Sequence, residues 1–227
     1  MIVPKAAPVI TVSASGTALV GASFTYQIAA SNNPTNYDAT GLPPGLAVNT
    51  GTGLISGTPM QSGSFSVTLS ASNTGGSGAA TLIINVFSPF QTWAAQYFTP
   101  QQLNDPLISG PNGDLNHNGI PNILEYLLHL NPAVTNADDF AELPTPVREV
   151  SNGVEYLTLT YRRNSLASDL DVQVEVSSTL VSESWRVIVP DVVESLPTDV
   201  VTGDPRFKVK VNVNGRDKQF IRLKVTP

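Results

Sequence analysis

Runs of alternating apolar and polar residues constrain the fold of this chain more than any other feature of its sequence. The clearest runs cover residues 24–30, 65–71, 82–86, 157–161, 172–176 and 207–213. A side-chain period of two is typical of a β-strand that buries one face. Clusters of Gly, Asn, Pro and Ser separate the runs, as turns separate short strands. The sequence therefore predicts a mainly β protein with a β-sandwich near each end.

The composition argues against several classes of protein. The 227 residues include no Cys, so neither a disulfide framework nor a cysteine metal site is expected. The net charge is −6, and an acidic chain without a basic stripe argues against nucleic-acid binding. No apolar run approaches the ~20 residues of a membrane span, and the start lacks the apolar core of a signal peptide. We expect a segment of a longer exported protein, extracellular or at the cell surface.

Five short motifs give the first part of the chain a specific character. They are FTY at 24–26, ASN at 30–32, ATGLPPGL at 39–46, TGLISGTP at 52–59 and a second ASN at 71–73. Together they resemble an immunoglobulin-like, cadherin-related family of bacterial surface proteins. The resemblance implies an immunoglobulin-like sandwich over residues 1–88, an extracellular setting and a spacer or adhesive role. Cadherin-type calcium sites need several carboxylates, and Asp38 is the only acid here, so no calcium is expected in the sandwich itself.

After the sandwich the apolar period changes from two residues to that of a helix. Aromatic and small residues recur at spacings of three and four, at Phe90, Trp93, Ala94, Tyr97 and Phe98. This pattern predicts an amphipathic helix, in which Trp93 is either a core residue or a sugar-stacking platform; the spacing favours the core. The sequence TPQQ at 99–102 then indicates a capping box and a second short helix that ends near residue 106.

The most specific site signal is the twelve-residue stretch DLNHNGIPNILE at 114–125. Side chains with oxygen atoms stand at its positions 1, 3, 5 and 12, which are calcium-ligand positions of an EF-hand loop. These side chains are Asp114, Asn116, Asn118 and Glu125. Gly119 at position 6 permits the sharp turn, and Ile120 at position 7 supplies a backbone carbonyl. The sequence therefore predicts one calcium ion, held by the four side chains and the carbonyl of Ile120.

Only two of these ligands are charged, because Asn replaces Asp at positions 3 and 5. We therefore expect weak affinity, in roughly the 10⁻⁴–10⁻³ M range. The alternative is an Asn- and Gly-rich turn in which Asp114 serves only as a cap. Pro121 suits a first helical position, and the apolar spacing after it predicts a helix that the Asn-Pro pair at 131–132 ends.

The surroundings of the loop agree with this interpretation. Residues 90–132 resemble a module of exported proteins of verrucomicrobial and planctomycete type, in which an aspartate-rich loop leads into a similar helix. The loop alone resembles half of a dockerin repeat, and since only one repeat is present, a cohesin partner is not implied. Residues 88–146 carry six acids and no Lys or Arg, which favours cations. We therefore interpret residues 89–146 as a helical connector with a calcium loop, and its last part, 133–146, as a linker.

Residues 147–227 are predicted to form a second, all-β domain. Part of it, at 172–185, resembles the β domain that follows the helical module in the same exported proteins. The pair Asn214-Gly215 predicts a hairpin turn, which would place the basic pairs at 208/210 and 222/224 on adjacent strands as a small basic stripe or a solvated outer face. Trp185, beside Val187 and Val189, is predicted to lie in the core.

These features favour a non-catalytic structural or adhesive module of a bacterial cell-surface or secreted protein, with calcium stiffening the connector between two sandwiches. The alternative is a carbohydrate-binding accessory module of a larger polysaccharide-degrading enzyme. Its candidate aromatic platforms would be Tyr37, Trp93, Tyr97 and Trp185. No nucleophile motif or phosphate-binding loop indicates an enzyme, and His117 and His129 are predicted to be structural. Expected partners are calcium and another surface protein or a polysaccharide.

Overall fold

The computed structural model describes residues 5–11, 15–134, 137–216 and 218–227. The chain divides into two compact units, Met1–Gln91 and Thr92–Pro227. The helical segment that the sequence separates from residues 147–227 thus belongs to the same unit as the carboxy-terminal strands. Within the described ranges, no helix is long and apolar enough to cross a membrane.

The first unit is a β-sandwich, and its described residues form seven strands. The strands are β1 (Ser15–Leu19), β2 (Phe24–Gln27), β3 (Asn36–Thr40), β4 (Leu46–Val48), β5 (Leu54–Gly57), β6 (Gly63–Asn73) and β7 (Gly76–Phe87). One sheet has the order β1-β7-β6-β3 and the other the order β2-β5-β4. The alternating apolar residues of the two sheets meet in one core, as the period-two runs predict. Its fully buried members include Ile55, Val67, Leu69, Leu82 and Ile84.

Two glycines of the sequence motifs allow the β4–β5 hairpin to close. Gly45 has φ +93°, and a Cβ atom there would lie 2.0 Å from the carbonyl oxygen of Thr58. Gly57 has φ +141°, and a Cβ atom there would lie 2.1 Å from the carbonyl oxygen of Gly45. Any side chain at either position would therefore collide with backbone, which explains why both motifs have glycine there.

The second unit begins with short helices. They are α1 (Pro89–Tyr97), which starts at the boundary of the units, α2 (Pro100–Leu103), α3 (Pro106–Ser109) and α4 (Asn122–Leu128). The predicted helices correspond to α1, α2 and α4, and Thr99 forms the predicted capping box with Gln102. Helix α3, whose cap is the side chain of Asp105, is not among the predicted helices. The segment interpreted as a linker contains a 3₁₀ helix, Ala137–Glu142.

The carboxy-terminal part of the second unit is a second sandwich, again with seven strands among its described residues. They are β8 (Thr145–Ser151), β9 (Val154–Arg162), β10 (Asp171–Ser177), β11 (Arg186–Ile188), β12 (Val192–Leu196), β13 (Arg206–Asn212) and β14 (Phe220–Thr226). The sheet orders are β12-β13-β9-β8 and β11-β10-β14. A short 3₁₀ helix, Ser182–Ser184, precedes β11. Apolar residues of both sheets share one core, in which Leu159, Val209 and Val213 are among the most buried.

The predicted hairpin at Asn214-Gly215 is wrong. β13 pairs with β9 and β12, whereas β14 pairs with β10 in the other sheet. The reason is the shared core, because Val211 of β13 and Ile221 of β14 are both buried in it from opposite sheets. The connection after Asn214 therefore crosses from one sheet to the other.

This crossing also separates the basic residues that the hairpin would have aligned. Lys210 of β13 forms ion pairs with Glu149 and Glu194 in the four-stranded sheet. Arg222 of β14 instead pairs with the buried carboxylate of Glu175 in the three-stranded sheet. Of the two alternatives, the basic stripe does not form. The four cations lie beside acidic partners in their own sheets, as the alternative of a solvated outer face expects.

Candidate metal site

The loop between α3 and α4 is closed at its base by main-chain and amide hydrogen bonds. The backbone N–H of Asn122 donates to the carbonyl of Gly113 at 2.8 Å, and that of Ile123 to the carbonyl of Pro111 at 2.9 Å. The Nδ2 atom of Asn122, which is fully buried, donates to the carbonyls of Ile108 and Gly110. These bonds hold the entrance of the loop against the start of α4. The sequence analysis did not assign this clamp to Asn122, since an amide at loop position 9 gives no distinct signal.

Inside the loop, the side-chain oxygens of three predicted ligands accept hydrogen bonds from backbone N–H groups of the turn. Asp114 accepts the N–H of Asn118 on Oδ1 at 3.1 Å and that of Gly119 on Oδ2 at 2.8 Å. The Oδ1 atom of Asn116 also accepts the N–H of Asn118, and Oδ1 of Asn118 accepts that of Ile120 at 2.7 Å. Gly119 has φ +81°, so the sharp turn expected at position 6 is present.

The last predicted ligand, Glu125, lies in α4 and has no exposed surface. Its Oε1 atom accepts hydrogen bonds from Nδ2 of Asn116 at 3.0 Å and from Nδ2 of Asn118 at 3.2 Å. The structure thus brings loop positions 3, 5 and 12 into direct contact, and Asp114 joins them through the N–H of Asn118. Ile120 is 2% exposed and lies at the expected turn position.

The chemistry of these groups suits a hard cation. The loop contains two carboxylates and two amide oxygens, which are ligands that calcium prefers, and it contains no sulfur for a soft metal. Across the part of the chain that the structure describes, no group of three or more His, Cys, Asp or Glu side chains could hold a metal. A cation in this loop would therefore depend on the amides of Asn116 and Asn118 as much as on charge.

The end of α4 ties the loop to the carboxy-terminal sandwich. The last helical residue is Leu128, and His129 caps the helix with a left-handed φ of +56°. The helix therefore ends before the Asn-Pro pair at which its end was predicted. Arg162 of β9 donates to the carbonyl of Leu128 from Nε at 2.9 Å and from Nη2 at 2.5 Å. The buried Asn164 donates its N–H to the carbonyl of Leu127 and its Nδ2 to that of Tyr126. Side chains of the sandwich thus satisfy the carbonyls that a helix end leaves without intrahelical partners.

Two carboxylates beneath this helix end are held ionised. Nδ1 of His129 lies 2.6 Å from Oδ2 of Asp204, which is 1% exposed. Burial raises the pKa of Asp204, but hydrogen bonds with Ser165, Thr202 and His129 outweigh it and leave the pKa below its ordinary value. The pKa of Asp199 falls to about 2, chiefly because its carboxylate accepts the N–H of Thr202. His129 therefore has a structural role, as the sequence analysis predicts.

The lowered pKa of Asp199 has a consequence for acid stability. A carboxyl whose pKa is lower in the folded state contributes stability above its unfolded pKa of roughly 4 and loses it as the pH falls through the folded value. We expect Asp199→Asn to destabilise the second unit at pH 6, and the difference from the wild type to shrink between about pH 4 and pH 2. Urea unfolding followed by tryptophan fluorescence measures this, because both tryptophans, Trp93 and Trp185, lie in the second unit.

The control for this experiment is Asp171→Asn, which removes an exposed carboxylate of the same unit. Its difference from the wild type should be small at every pH. A loss in Asp199→Asn that is independent of pH would contradict the assignment, because it would show that the carboxylate acts by its shape and not by its charge.

Trp93 lies in the core of the second unit. It is 5% exposed, and its ring centroid lies 5.2 Å from that of Tyr126, 5.4 Å from that of Tyr97 and 6.3 Å from that of Phe98. This confirms the core position that its helical spacing favours. Trp93 is thereby removed from the candidate sugar-stacking residues.

The second tryptophan differs from its prediction. Trp185 is only partly buried, with the guanidinium of Arg222 4.1 Å from the ring centroid. The neighbours expected to share its core are exposed, Val187 at 53% and Val189 at 92%. The alternating pattern was correct for a strand here, but β11 turns Ile188 toward the core, and the side-chain alternation places Val187 and Val189 on the opposite, exposed face.

Comparison with known proteins assigns the first unit. Residues 7–87 match the family model described as "Putative Ig domain". Those residues form an immunoglobulin-like domain. No curated protein matches the chain.

Similarity to solved structures is limited. A "putative alpha-galactosidase/melibiase" of Bacteroides fragilis is 28% identical over 37% of this chain and 18% of its own, with a TM-score of 0.35. The tandem Ig repeats of Dlar are 16% identical over 37% of this chain and 50% of theirs, with a TM-score of 0.30. The I-band fragment I67-I69 from titin is 11% identical over 97% of this chain, with 60% of its own covered and a TM-score of 0.29. The chain spans only 18% and 19% of the length of two B. fragilis proteins that it matches.

Proposed function

We propose that this chain is a non-catalytic structural or adhesive part of an exported bacterial surface protein, in which one calcium ion binds the loop 114–125. The observation that carries the calcium assignment is the carboxylate of Glu125. It is fully buried and meets the amides of Asn116 and Asn118 inside a loop with calcium-ligand spacing. The immunoglobulin-like domain supports the structural role, because such domains commonly act as spacers and adhesive units.

A cation would improve the environment of this carboxylate. Removing a carboxylate from water is costly, and neutral amide donors such as those of Asn116 and Asn118 compensate for only part of that cost. A divalent ion supplies full charge compensation in the same place. Oδ1 of Asn116 accepts the N–H of Asn118, and Oδ1 of Asn118 accepts that of Ile120. Each amide oxygen has two lone pairs, so each would still have one for the ion.

The role of the ion would be mechanical. The N–H of Leu130 donates to the carbonyl of Glu125, and the next carbonyls of α4 bond to Arg162 and Asn164 of the sandwich. Binding at Glu125 would therefore stabilise the loop, the helix and the helix contact with the sandwich together. Since the loop must be folded to bind, the binding free energy adds to the stability of the second unit.

The experiment is thermal unfolding of the chain in calcium, in magnesium and in excess EDTA, followed by tryptophan fluorescence. At about 5 mM calcium and the affinity of a weak extracellular site, the expected stabilisation is about 1–2 kcal/mol, or a few degrees in Tm. Magnesium should stabilise less, because it requires a tighter octahedral shell and dehydrates reluctantly. Equal Tm values in calcium and EDTA would overturn the calcium assignment.

A second candidate function is a carbohydrate-binding accessory module of a larger enzyme. The observation in its favour is that the side chains of Trp185, Tyr37 and Tyr97 are partly exposed. A glycan array tests it directly. Absence of binding to every neutral and acidic glycan would eliminate it without affecting the calcium proposal.

A further inference from the structure

A cavity of about 480 Å³ opens in the carboxy-terminal sandwich, between the end of β10, the start of β11 and the residues that precede β14. Its lining includes three basic side chains, Arg186, Arg216 and Lys218. Ser177 and Ser184 form another part of the wall and are hydrogen-bonded to each other through their hydroxyls at 2.5 Å. The volume lies in the range of small-ligand sites.

The three cations of this cavity differ from most other cations of the second unit. Six of the eleven Lys and Arg side chains of that unit form ion pairs with carboxylates that the structure describes. Arg186, Arg216 and Lys218 have no such partner among the described carboxylates. Three of the five remaining cations therefore converge on one cavity in a chain whose net charge is −6. Such a local field concentrates anions.

A second cavity, of about 280 Å³, adjoins the first, because Gln219 lines both. It contains the aromatic side chains of Trp185 and Phe220. Both rings are partly exposed. A basic cavity beside a partly exposed aromatic surface suits a ligand with both oxyanions and flat apolar faces. A sugar ring has such faces, and guanidinium groups bind carboxylate and sulfate by paired hydrogen bonds.

We propose that these adjoining cavities bind an acidic polysaccharide, with its carboxylate or sulfate groups against Arg186, Arg216 and Lys218 and a sugar ring against Trp185. This inference gives the second candidate function a ligand class and rests on it, and it is independent of calcium in the loop. No covalent step is involved. Asp217, between two of the cations in the sequence, lies outside the described residues and is left unchanged in every variant.

The test is calorimetric titration of the whole chain with dextran sulfate, with EDTA present so that calcium takes no part. The site variant is Arg186→Gln with Arg216→Gln, two exposed side chains whose replacement leaves the core intact. The control variant is Lys5→Gln with Arg206→Gln, which removes the same charge elsewhere. We expect the site variant to bind about tenfold more weakly and the control within about twofold of the wild type, since each lost charge contact contributes a modest, additive amount.

Several outcomes would overturn the proposal. An equal loss in both variants would show attraction by charge in general, and absence of binding by the wild type would show that the cavity is not a polyanion site. Equal affinity for neutral dextran would show that the cations do not contribute. If inorganic sulfate bound as tightly as dextran sulfate, the site would bind a free anion and not a polysaccharide.

Discussion

Replacement of Glu125 by Gln is expected to lower the stability of the second unit in calcium and to leave it unchanged or slightly higher in EDTA. Glutamine keeps the size of the side chain and an oxygen that accepts from Asn116 and Asn118. It removes only the charge. Without an ion, the loss of a fully buried charge relieves a desolvation cost. With calcium, the variant loses the bidentate carboxylate of loop position 12 and with it most of the binding free energy.

The expected size follows from linkage. If the site stabilises the wild type by about 1–2 kcal/mol at about 5 mM calcium, the variant should lose nearly all of that increment. The measurement is the Tm of both proteins in both conditions, by tryptophan fluorescence. Glu183→Gln, which neutralises an exposed carboxylate of the same unit, is the control and should respond to calcium as the wild type does.

Asp114→Ala is expected to abolish the calcium response as well, but it is a less specific variant. Its carboxylate accepts the N–H groups of Asn118 and Gly119, so its removal also costs about 1 kcal/mol without any ion. The sign reversal of Glu125→Gln is therefore the sharper result. If Glu125→Gln were equally destabilising in calcium and in EDTA, the loop would be an Asn- and Gly-rich turn with a structural carboxylate.

Replacement of Arg162 by Met is expected to destabilise the second unit by about 2 kcal/mol, because it removes a buried guanidinium that donates to a helix-end carbonyl and pairs with two carboxylates. The Arg162 side chain is 8% exposed and lies 3.3 Å from Glu142 and 3.4 Å from Asp199. It also donates to the carbonyl of Leu128 at the end of α4. The substitution would leave that carbonyl without the guanidinium that donates to it, and would remove the positive charge beside Asp199.

The control for this variant lies directly opposite in the sheet. Arg206 of β13 pairs in register with Arg162 of β9, is exposed, and forms no ion pair with a carboxylate that the structure describes. Arg206→Met should change the free energy of unfolding by less than about 0.5 kcal/mol. Urea unfolding of both variants measures the difference. If Arg162→Met and Arg206→Met lowered the free energy of unfolding equally, the contacts of Arg162 with Leu128, Glu142 and Asp199 would not be the cause of the loss.

The strands and helices that local sequence determines were predicted well. The alternating residues of β6 and β7 must bury one face wherever they pair, so the pattern alone identifies them as strands. The capping box at Thr99 involves atoms only three residues apart, and the helical spacing of Trp93 indicates its buried face. In the loop 114–125, the hydrogen bonds between Asp114, Asn118 and Gly119 lie within six residues, so local sequence also determines the geometry of this turn.

The errors arose where distant parts of the chain compete for the same residues. Asn214-Gly215 has the local preference of a hairpin turn, yet β13 and β14 lie in different sheets because both bury valine and isoleucine in a common core. Val187 and Val189 have the pattern of a buried face, but β11 packs Ile188 against the core and leaves the opposite face, which these two valines share, exposed. Neither strand partners nor edges can be read from a period of two.

The sequence by itself determined the mainly β class and the spacing of the loop ligands, because periodicity, turns and caps act over a few residues. Its motifs indicated the immunoglobulin-like first domain by their resemblance to a known family. Only the tertiary structure decided that Arg162 and Asn164 hold the end of α4, that the basic pairs separate onto two sheets, and that Arg186, Arg216 and Lys218 share one cavity. These arrangements join residues tens of positions apart. They depend on which faces of the strands and helices are buried together. The free energy that favours one arrangement comes from apolar burial over the whole core.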